Sequence, residues 1–322
     1  MSEANNIIVI LAYNEESFIE NTISEISDLF ETIFVVNDNS TDSTFKILNE
    51  IRNKNKKVKI INNKSNFGPG KSMQIGINEA LKNDFKYLVK IDGDNQFDKN
   101  DIKNLLVEAE KFNADYIKCD RFWLDGVRGK IPKIRYFGNA FASMLIKLLT
   151  GNKKINDPLN GLFLFSKDIL KNLNIPKFFN RYGYPFFINA KVVYLSIGRD
   201  LNLYQYKNII TYGDEKSKLN PISVFLKLIA FTFAFFTLLL RKKIKYSTHQ
   251  ISGIIDFFAI ICLLSTFFSF FMFINSRYFG YSGNQGAWIL LFVIFLITFF
   301  VLLFQSQKTL SELNTSDFEY LN

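Results

Sequence analysis

The chain carries one histidine and two cysteines in 322 residues. A single imidazole argues against His-rich metal centres and against most Ser/His or Cys/His catalytic devices. Cys119 and Cys262 lie in different parts of the chain, which excludes a disulfide scaffold, and both read as packing residues. The signature of disorder, low hydrophobicity with high net charge, is also missing: 48% of residues are hydrophobic and 21% charged. The opening segment, MSEANNIIVILAYNEE, lacks a basic start and a long apolar core, so no signal peptide is expected.

What the sequence has in excess is phenylalanine, with 36 residues, and positive charge, with 39 Lys and Arg against 30 Asp and Glu. Length suggests roughly two units at about 150 residues each. The mean hydropathy of +0.07 averages two compositions. Residues 1–220 mix charged, polar and apolar side chains as a soluble domain does; from Ile222 the chain is dominated by Phe, Leu and Ile. Gly253–Ile274 and Ala287–Phe304 are each long enough to be read as spans, a spanning helix needing about 20 residues to cover roughly 30 Å of hydrocarbon. Asp256 falls near an interface and Trp288 can anchor one. Joined by a short loop, the two predict a transmembrane hairpin over 253–304.

Ile222–Leu240 differs. Ser223, Lys227, Ala230, Ala234, Thr237 and Arg241 recur at steps of three and four, a polar or small stripe on one helical face. We read 221–252 as an amphipathic helix in the membrane surface and a basic linker, because Lys227 would otherwise enter the bilayer. A third span, its stripe packed on neighbours, is the alternative. Arg241, Lys242, Lys243 and Lys245 precede the hairpin, and its loop carries only Arg277. The positive-inside rule then predicts a cytoplasmic N-terminal domain and a cytoplasmic tail over 305–322, at the plasma membrane in a bacterium. His249 reads as an interfacial side chain. Self-association through the membrane helices stays open.

Within 1–220, short apolar runs alternate with helical spacings. Strands are expected over Ile7–Leu11, Thr32–Val36, Val58–Ile61, Tyr87–Ile91 and Asp115–Lys118, and helices over Glu15–Phe30, Thr41–Ile51, Gly70–Leu81 and Asn100–Lys111. That alternation predicts an α/β, Rossmann-like, mainly parallel sheet covered on both faces, with ligands beyond the carboxyl ends of the strands. Those ends hold Ala12 to Glu15, Asn37 to Asp42, Asn66 to Gly70 and Asp92 to Gln96, a polar, acidic edge on a basic chain. Asp92 and Asp94 stand one residue apart, and carboxylates so close favour a cation between them. Hard oxygen ligands of this kind suit Mg²⁺ or Mn²⁺ holding a phosphate, and Gln96 can add a neutral oxygen. An acidic turn facing water is the plain alternative. Asn66–Ser72 is not a P-loop, because Ser65 stands where the first glycine is required. Asp38 can accept hydrogen bonds from a base or ribose, or cap the next helix, as can Ser40 or Thr41. The basic run Arg52–Lys57 lacks interleaved aromatics and reads as a solvated loop, so no nucleic-acid partner is expected.

Val9–Glu16, Val35–Asp42, Asn66–Gly70 and Asp92-Gly93-Asp94, in this order, resemble the family-2 glycosyltransferases of GT-A fold. Asp157-Pro158-Leu159-Asn160-Gly161-Leu162-Phe163 resembles the Asp-Pro-x-Ser-Gly-Phe-Arg stretch of the polyprenyl-phosphate (dolichol-phosphate mannosyltransferase) group, and Tyr212–Leu219 its Gly-x-Ser-Lys-Leu motif. A cytoplasmic domain followed by a membrane hairpin is also that group's architecture. The sequence departs from the family at Leu11, where Pro is frequent, at Asn37, where an Asp is frequent, and at Phe163, where Arg is usual. It also lacks the Arg often found ahead of the Ser-Lys motif.

The resemblance implies a membrane-anchored, inverting, divalent-metal-dependent hexosyltransferase. It would move a sugar from a nucleotide-diphosphate sugar, GDP-mannose or UDP-hexose, to a polyprenyl phosphate such as undecaprenyl phosphate. Ala12, Tyr13, Glu15, Asp38, Gly70 and Asp92 are then expected at the nucleotide sugar, and Asp92, Asp94 and Gln96 at Mg²⁺ or Mn²⁺. Arg121, Arg135, Ser217 and Lys218 are expected at the acceptor phosphate, and Asp94, Asp157 and Arg121 in catalysis. Asp157 orients the sugar or an arginine, or caps its local turn. A phosphate acceptor is already ionised at neutral pH and needs no strong base. Two alternatives follow: transfer to a hydroxyl of a glycan or lipid-linked oligosaccharide, with Asp157 as base, and an inactive sugar-nucleotide-binding regulatory protein.

Overall fold

The computed structural model describes residues 5–122, 127–128, 133–152, 154–211, 221–246, 250–279, 284–312 and 319–321. Strands β1 (Ile7–Ala12), β2 (Thr32–Asn37), β4 (Tyr87–Asp92) and β5 (Tyr116–Asp120) are almost wholly buried, whereas β3 (Val58–Asn62) is only partly so. Strands covered on both faces have no solvent side to alternate with, so they read as continuous apolar runs. The five expected strands are present to within two residues at each end. They belong to an eight-stranded sheet of order β10-β8-β5-β7-β4-β1-β2-β3, completed by β7 (Phe163–Ser166), β8 (Leu203–Lys207) and β10 (Glu319–Leu321). Every pairing is parallel except those of β7, which runs antiparallel to β4 and β5. A small parallel pair, β6 (Val127–Arg128) with β9 (Ile210–Thr211), lies apart.

Two apolar cores cover the sheet. One joins Ile8, Ile10, Val35, Val89 and Leu164 to α1 (Ile19–Ile26), α2 (Thr44–Lys54) and α4 (Lys99–Lys111) through Ile23, Leu48 and Leu105. The other joins Val9, Val36, Tyr116, Phe163 and Phe165 to α3 (Pro69–Ala80), α5 (Lys133–Thr150) and α7 (Tyr184–Ser196). Between β7 and α7 lie α6 (Lys167–Lys171) and a 3-10 turn, Lys177–Phe179. Two helices start later than their periodicity predicts, because the loops before them hold each other. Asn14 N donates to Ser40 Oγ at 3.0 Å, Thr41 N to Asn14 Oδ1 at 2.8 Å, and Glu15 N to Thr44 Oγ1 at 2.8 Å. Asp42 Oδ1 accepts from Thr44 N at 3.0 Å, so the α2 start is satisfied by Asp42 and not by Asp38, Ser40 or Thr41.

Beyond the sheet, α8 (Pro221–Lys245), α9 (Gln250–Tyr278) and α10 (Gln285–Glu312) are all long and apolar enough to cross a membrane. α9 and α10 pack along one another; Ser252 and Ser306 share a hydrogen bond of 2.8 Å near one end. The base of α9 is tied to α8 by a buried ion pair, Lys243 Nζ to Asp256 Oδ2 at 2.7 Å. Asp256, expected at an interface, is thus satisfied inside the protein. α8 also packs into the second core. Leu228, Phe235 and Leu239 are buried there, and Phe231 meets Phe179 and Phe187 at ring separations of 4.9 and 5.8 Å. After these helices the chain rejoins the sheet domain, since β10 pairs in parallel with β8.

Candidate active site at the carboxyl edge of the sheet

The strand ends meet in register. Leu11 stands opposite Asp92, and Ala12 opposite Asn37. Gly93 N donates to Leu11 O and Asp38 N to Ala12 O, both at 2.9 Å, so the loops after β1, β2 and β4 leave side by side. Each turns through an asparagine in the left-handed region: Asn14 at φ 59°, Asn39 at 59° and Asn95 at 53°. Asparagine visits that region at lower cost than most residues because its short amide can bond locally. Ala12 is buried, Tyr13 lies at the exposed rim, and Glu15 has its backbone pinned to Thr44. Asn37 bonds Asn62 and Ser40, joining the ends of β2 and β3.

Asp38, buried at the end of β2, turns to the glycine loop. Its Oδ1 accepts from Asn63 Nδ2 at 2.8 Å and Phe67 N at 2.9 Å, and its Oδ2 from Gly68 N at 2.7 Å. Gly68 has φ +92°, which a side chain would resist. Gly70 serves another need. A Cβ there would lie 1.9 Å from Phe179 O, so the start of α3 packs directly under the turn before α7. Arg181, which the sequence did not single out, reaches this loop, Nη1 donating to Asn66 Oδ1 at 3.2 Å.

Asp92 ends β4 with a fixed side chain. Lys90, fully buried on the same sheet face, donates to Asp92 Oδ1 at 2.7 Å and lies 5.5 Å from the Tyr184 ring. Burial works against the ammonium, but Asp92 and Tyr184 outweigh it and hold the Lys90 pKa above its ordinary value. Burial, with Asp92, pushes the Tyr184 hydroxyl up to about 12 against the opposing pull of Lys90. Lys90 is therefore a cation at neutral pH, orienting one oxygen of Asp92. The other oxygen faces Gly161, where a Cβ would come within 2.6 Å. Asp94 Oδ1 accepts from Gln96 N at 3.3 Å, which brings these two residues into one turn. Among the described residues no three His, Cys, Asp or Glu side chains converge.

Across the sheet, the ends of β5 and of the segment before β7 form a clamp. Arg121 Nε donates to Asp157 Oδ2 at 2.8 Å and Nη2 to Oδ1 at 2.9 Å. Arg121 N and Asn160 Nδ2 also donate to Oδ2, at 3.0 and 3.2 Å. Asp157 is 1% exposed and sits at φ 43°, so the sequence-expected carboxylate holds an arginine and shapes the 157–161 loop at once. Lys118, a second fully buried lysine missed from sequence, donates to the Asn156 carbonyl beneath it and to Gln205 Oε1 at 3.3 Å. Burial pulls its pKa down from the ordinary value. Lys90 and Lys118 escape sequence reading because a lysine in an apolar strand looks like a solvent-facing residue. Arg135 lies half-buried in the first turn of α5. Ser217, Lys218 and the rest of Tyr212–Leu219 lie outside the described residues, as does His249.

Residues 7–173 match the family model "Glycosyl transferase family 2". The uncharacterised protein MJ0544 of Methanocaldococcus jannaschii is 35% identical over 189 residues, 56% of this chain and 79% of its own. The UDP-N-acetylglucosamine–dolichyl-phosphate N-acetylglucosaminyltransferase of Methanococcus voltae is 28% identical over 52% of this chain and 71% of its own. A dolichyl-phosphate beta-glucosyltransferase of Trichomonas vaginalis is 26% identical over 52% of this chain and 53% of its own. Among solved structures, S. aureus TarS 1–349 in complex with UDP aligns with 96% of this chain and 88% of its own, at a TM-score of 0.50 and 17% identity. GalNAc-T7 with UDP, GalNAc and Mn²⁺ aligns with 73% of this chain and 50% of its own, at a TM-score of 0.50 and 16% identity. At such identities the two structures speak for the fold alone. The family match runs from β1 past β7, over more than half of the chain and over the loops that carry Asp38, Asp92, Asp94, Arg121 and Asp157, and this protein belongs to glycosyl transferase family 2.

Proposed function

We propose that this glycosyltransferase moves a sugar from a nucleotide-diphosphate sugar to the phosphate of a polyprenyl lipid at a membrane face. The observation that carries the acceptor class is the state of Asp157. Transfer to a hydroxyl needs a carboxylate able to take its proton, and Asp157 is buried and already accepts four hydrogen bonds, three of them from Arg121. A phosphate acceptor needs no such base. It needs fixed positive charge, which Arg121 supplies from a locked orientation; Arg135, Ser217 and Lys218 are proposed as further ligands of the same phosphate. Two of the relatives carry dolichyl-phosphate sugar transfer in their names, in keeping with the same acceptor chemistry.

On the donor side we assign the nucleotide sugar to the edge built by Ala12, Tyr13, Glu15, Asp38 and Asp92. Asp38 acts by ordering the 63–68 loop. Gly70 acts by bringing α3 under the 179–181 segment. The donor set fits Mg²⁺ or Mn²⁺, since Mg²⁺ is held through one or two carboxylates together with substrate phosphates and not in an all-protein cage. Asp92, Asp94 and Gln96 would hold it. When bound, the ion neutralises the charge that develops on the leaving diphosphate. Lys90 keeps Asp92 oriented through its 2.7 Å bond to Oδ1, and Arg121 holds the acceptor phosphate in line.

We read α9 and α10 as a membrane hairpin and α8 as lying along the membrane surface. The return of β10 to the edge of the sheet supports this, because a chain that leaves and rejoins one domain crosses a bilayer an even number of times. The burial of Leu228, Phe235 and Leu239 in the domain core supports α8 as the helix that does not cross. Lys227 Nζ lies 5.0 Å from the Phe178 ring, a place for its charge at the domain surface. The positive-inside asymmetry supports a cytoplasmic domain.

The test is transfer by the full chain, in detergent or lipid, with Mn²⁺, undecaprenyl phosphate and a panel of labelled sugar nucleotides. A lipid-linked sugar formed by the parent and abolished in Asp94→Ala, with membrane insertion intact, is the expected result. Tight nucleotide binding with no lipid-linked product from any donor would refute the reading and favour a binding protein.

A further inference from the structure

Strand β10 brings a tyrosine to the acceptor side of the edge. Tyr320 stands opposite Gln205 of β8, and the next residue, Leu321, is buried in the apolar core that α4 covers. The Tyr320 hydroxyl donates to Asp120 Oδ2 at 2.7 Å and accepts from Asn156 Nδ2 at 2.7 Å. Both partners are committed further. Asp120 Oδ1 accepts from Phe122 N at 2.9 Å, and Asn156 Oδ1 accepts from Lys147 Nζ of α5 at 2.8 Å. Asp120 immediately precedes Arg121, and Asn156 immediately precedes Asp157. One hydroxyl therefore bridges the two backbone segments that carry the clamp. Lys207 Nζ of the neighbouring strand lies 5.5 Å from the Tyr320 ring. Burial and the Asp120 carboxylate raise the Tyr320 pKa, so the hydroxyl keeps the proton it donates.

We propose that Tyr320 is a positioning residue for the acceptor: by tying Asp120 to Asn156 it sets the spacing of Arg121 and Asp157, and so couples the segment after the apolar helices to the acceptor-phosphate site. The role of Arg121 rests on the function proposed above; the tie itself does not. Both hydrogen bonds of the Tyr320 hydroxyl go to residues next to the clamp, Asp120 and Asn156, so the effect is expected on one substrate only. Removing α9 and α10 without restoring β10 would loosen the clamp even with the sheet domain folded.

Tyr320→Phe removes the hydroxyl and keeps the ring. In the full chain it should raise KM for undecaprenyl phosphate about tenfold and leave KM for the nucleotide sugar within about twofold, the size expected for one hydrogen bond to a charged group. Asn156→Ala removes the other bond and should shift the same KM. Combined with Arg121→Lys, Tyr320→Phe should cost less than the sum of the two single losses, because both act through one guanidinium. Equal shifts in both KM values, no shift, or strict additivity would overturn the proposal. Should the parent form no polyprenyl-linked sugar, the function reading fails separately, and hydrogen exchange on the full chain decides the tie. The amides of Arg121 and Phe122 should then exchange about tenfold faster in Tyr320→Phe while those of β1 stay protected; unchanged exchange at both would overturn it.

Discussion

Gly161→Ala tests the reading of the donor side most directly. Gly161 lies outside the left-handed region, so alanine meets no backbone strain. The added methyl would lie 2.6 Å from Asp92 Oδ2 and 3.1 Å from Lys90 Nζ. Ordinary contact begins near 3.4 Å, so the carboxylate must retreat by about 0.8 Å, close to the 1 Å misplacement that costs roughly 10²-fold in rate. It cannot slide as a unit, because Lys90 holds its other oxygen at 2.7 Å. The stability cost should be small, about 1 kcal/mol at the low end of overpacking, since the crowded atoms end side chains and are not backbone. We expect transfer to fall about 30- to 100-fold, with the loss smaller in excess Mn²⁺ and Tm lowered by only a few degrees. Gly138→Ala is the control. Its methyl meets no atom within 4 Å, and within helix α5 it should raise stability by about 0.5–1 kcal/mol without changing the rate. Full activity in Gly161→Ala, with Tm reduced, would refute the claim that Asp92 must hold its present place.

Other perturbations separate the remaining parts. Arg121→Lys keeps a charge but not the fork that meets both Asp157 oxygens, so KM for the lipid phosphate should rise about tenfold or more; a wild-type KM would remove Arg121 from the acceptor site. Gly70→Ala drives a methyl to within 1.9 Å of Phe179 O, a backbone atom, and should cost several kcal/mol, about 3 by analogy with severe overpacking. A calorimetric Tm within a degree of the parent would contradict that packing. Asp256→Ala leaves Lys243 buried without its partner and should destabilise the α8–α9 junction by about 3–5 kcal/mol, read as thermal inactivation in lipid. A reporter fused after residue 321 and another placed in 280–283 should fall on opposite sides of the membrane. The same side for both would exclude the hairpin.

The five strands read from sequence were legible because buried parallel strands are short runs of apolar, largely β-branched residues, as in IIVILA and TIFVVN. Past Lys118 the signal failed for physical reasons. β7 is four residues long and runs against its neighbours, with no βαβ rhythm to announce it. α7, YPFFINAKVVYLS, is buried all round, so its apolar residues show no helical period. β10 is three residues long, and its pairing with β8 bridges more than a hundred residues. The acidic edge was legible as Asp92, Asp94 and Asp38 at strand ends, whereas Lys90, Lys118, Arg181 and Tyr320 were not.

The sequence by itself determined the alternating sheet, the acidic strand ends and the apolar helices, because each is written in local composition and period. Only the tertiary structure decided what each charged group does. Asp157 became the partner of Arg121, Asp38 the anchor of a loop and Lys90 the buried counter-charge of Asp92. A hydrogen bond between residues 36, 30 or 200 positions apart leaves no periodic trace along the chain. It arises only when the sheet, parallel except at β7, brings these segments to one edge.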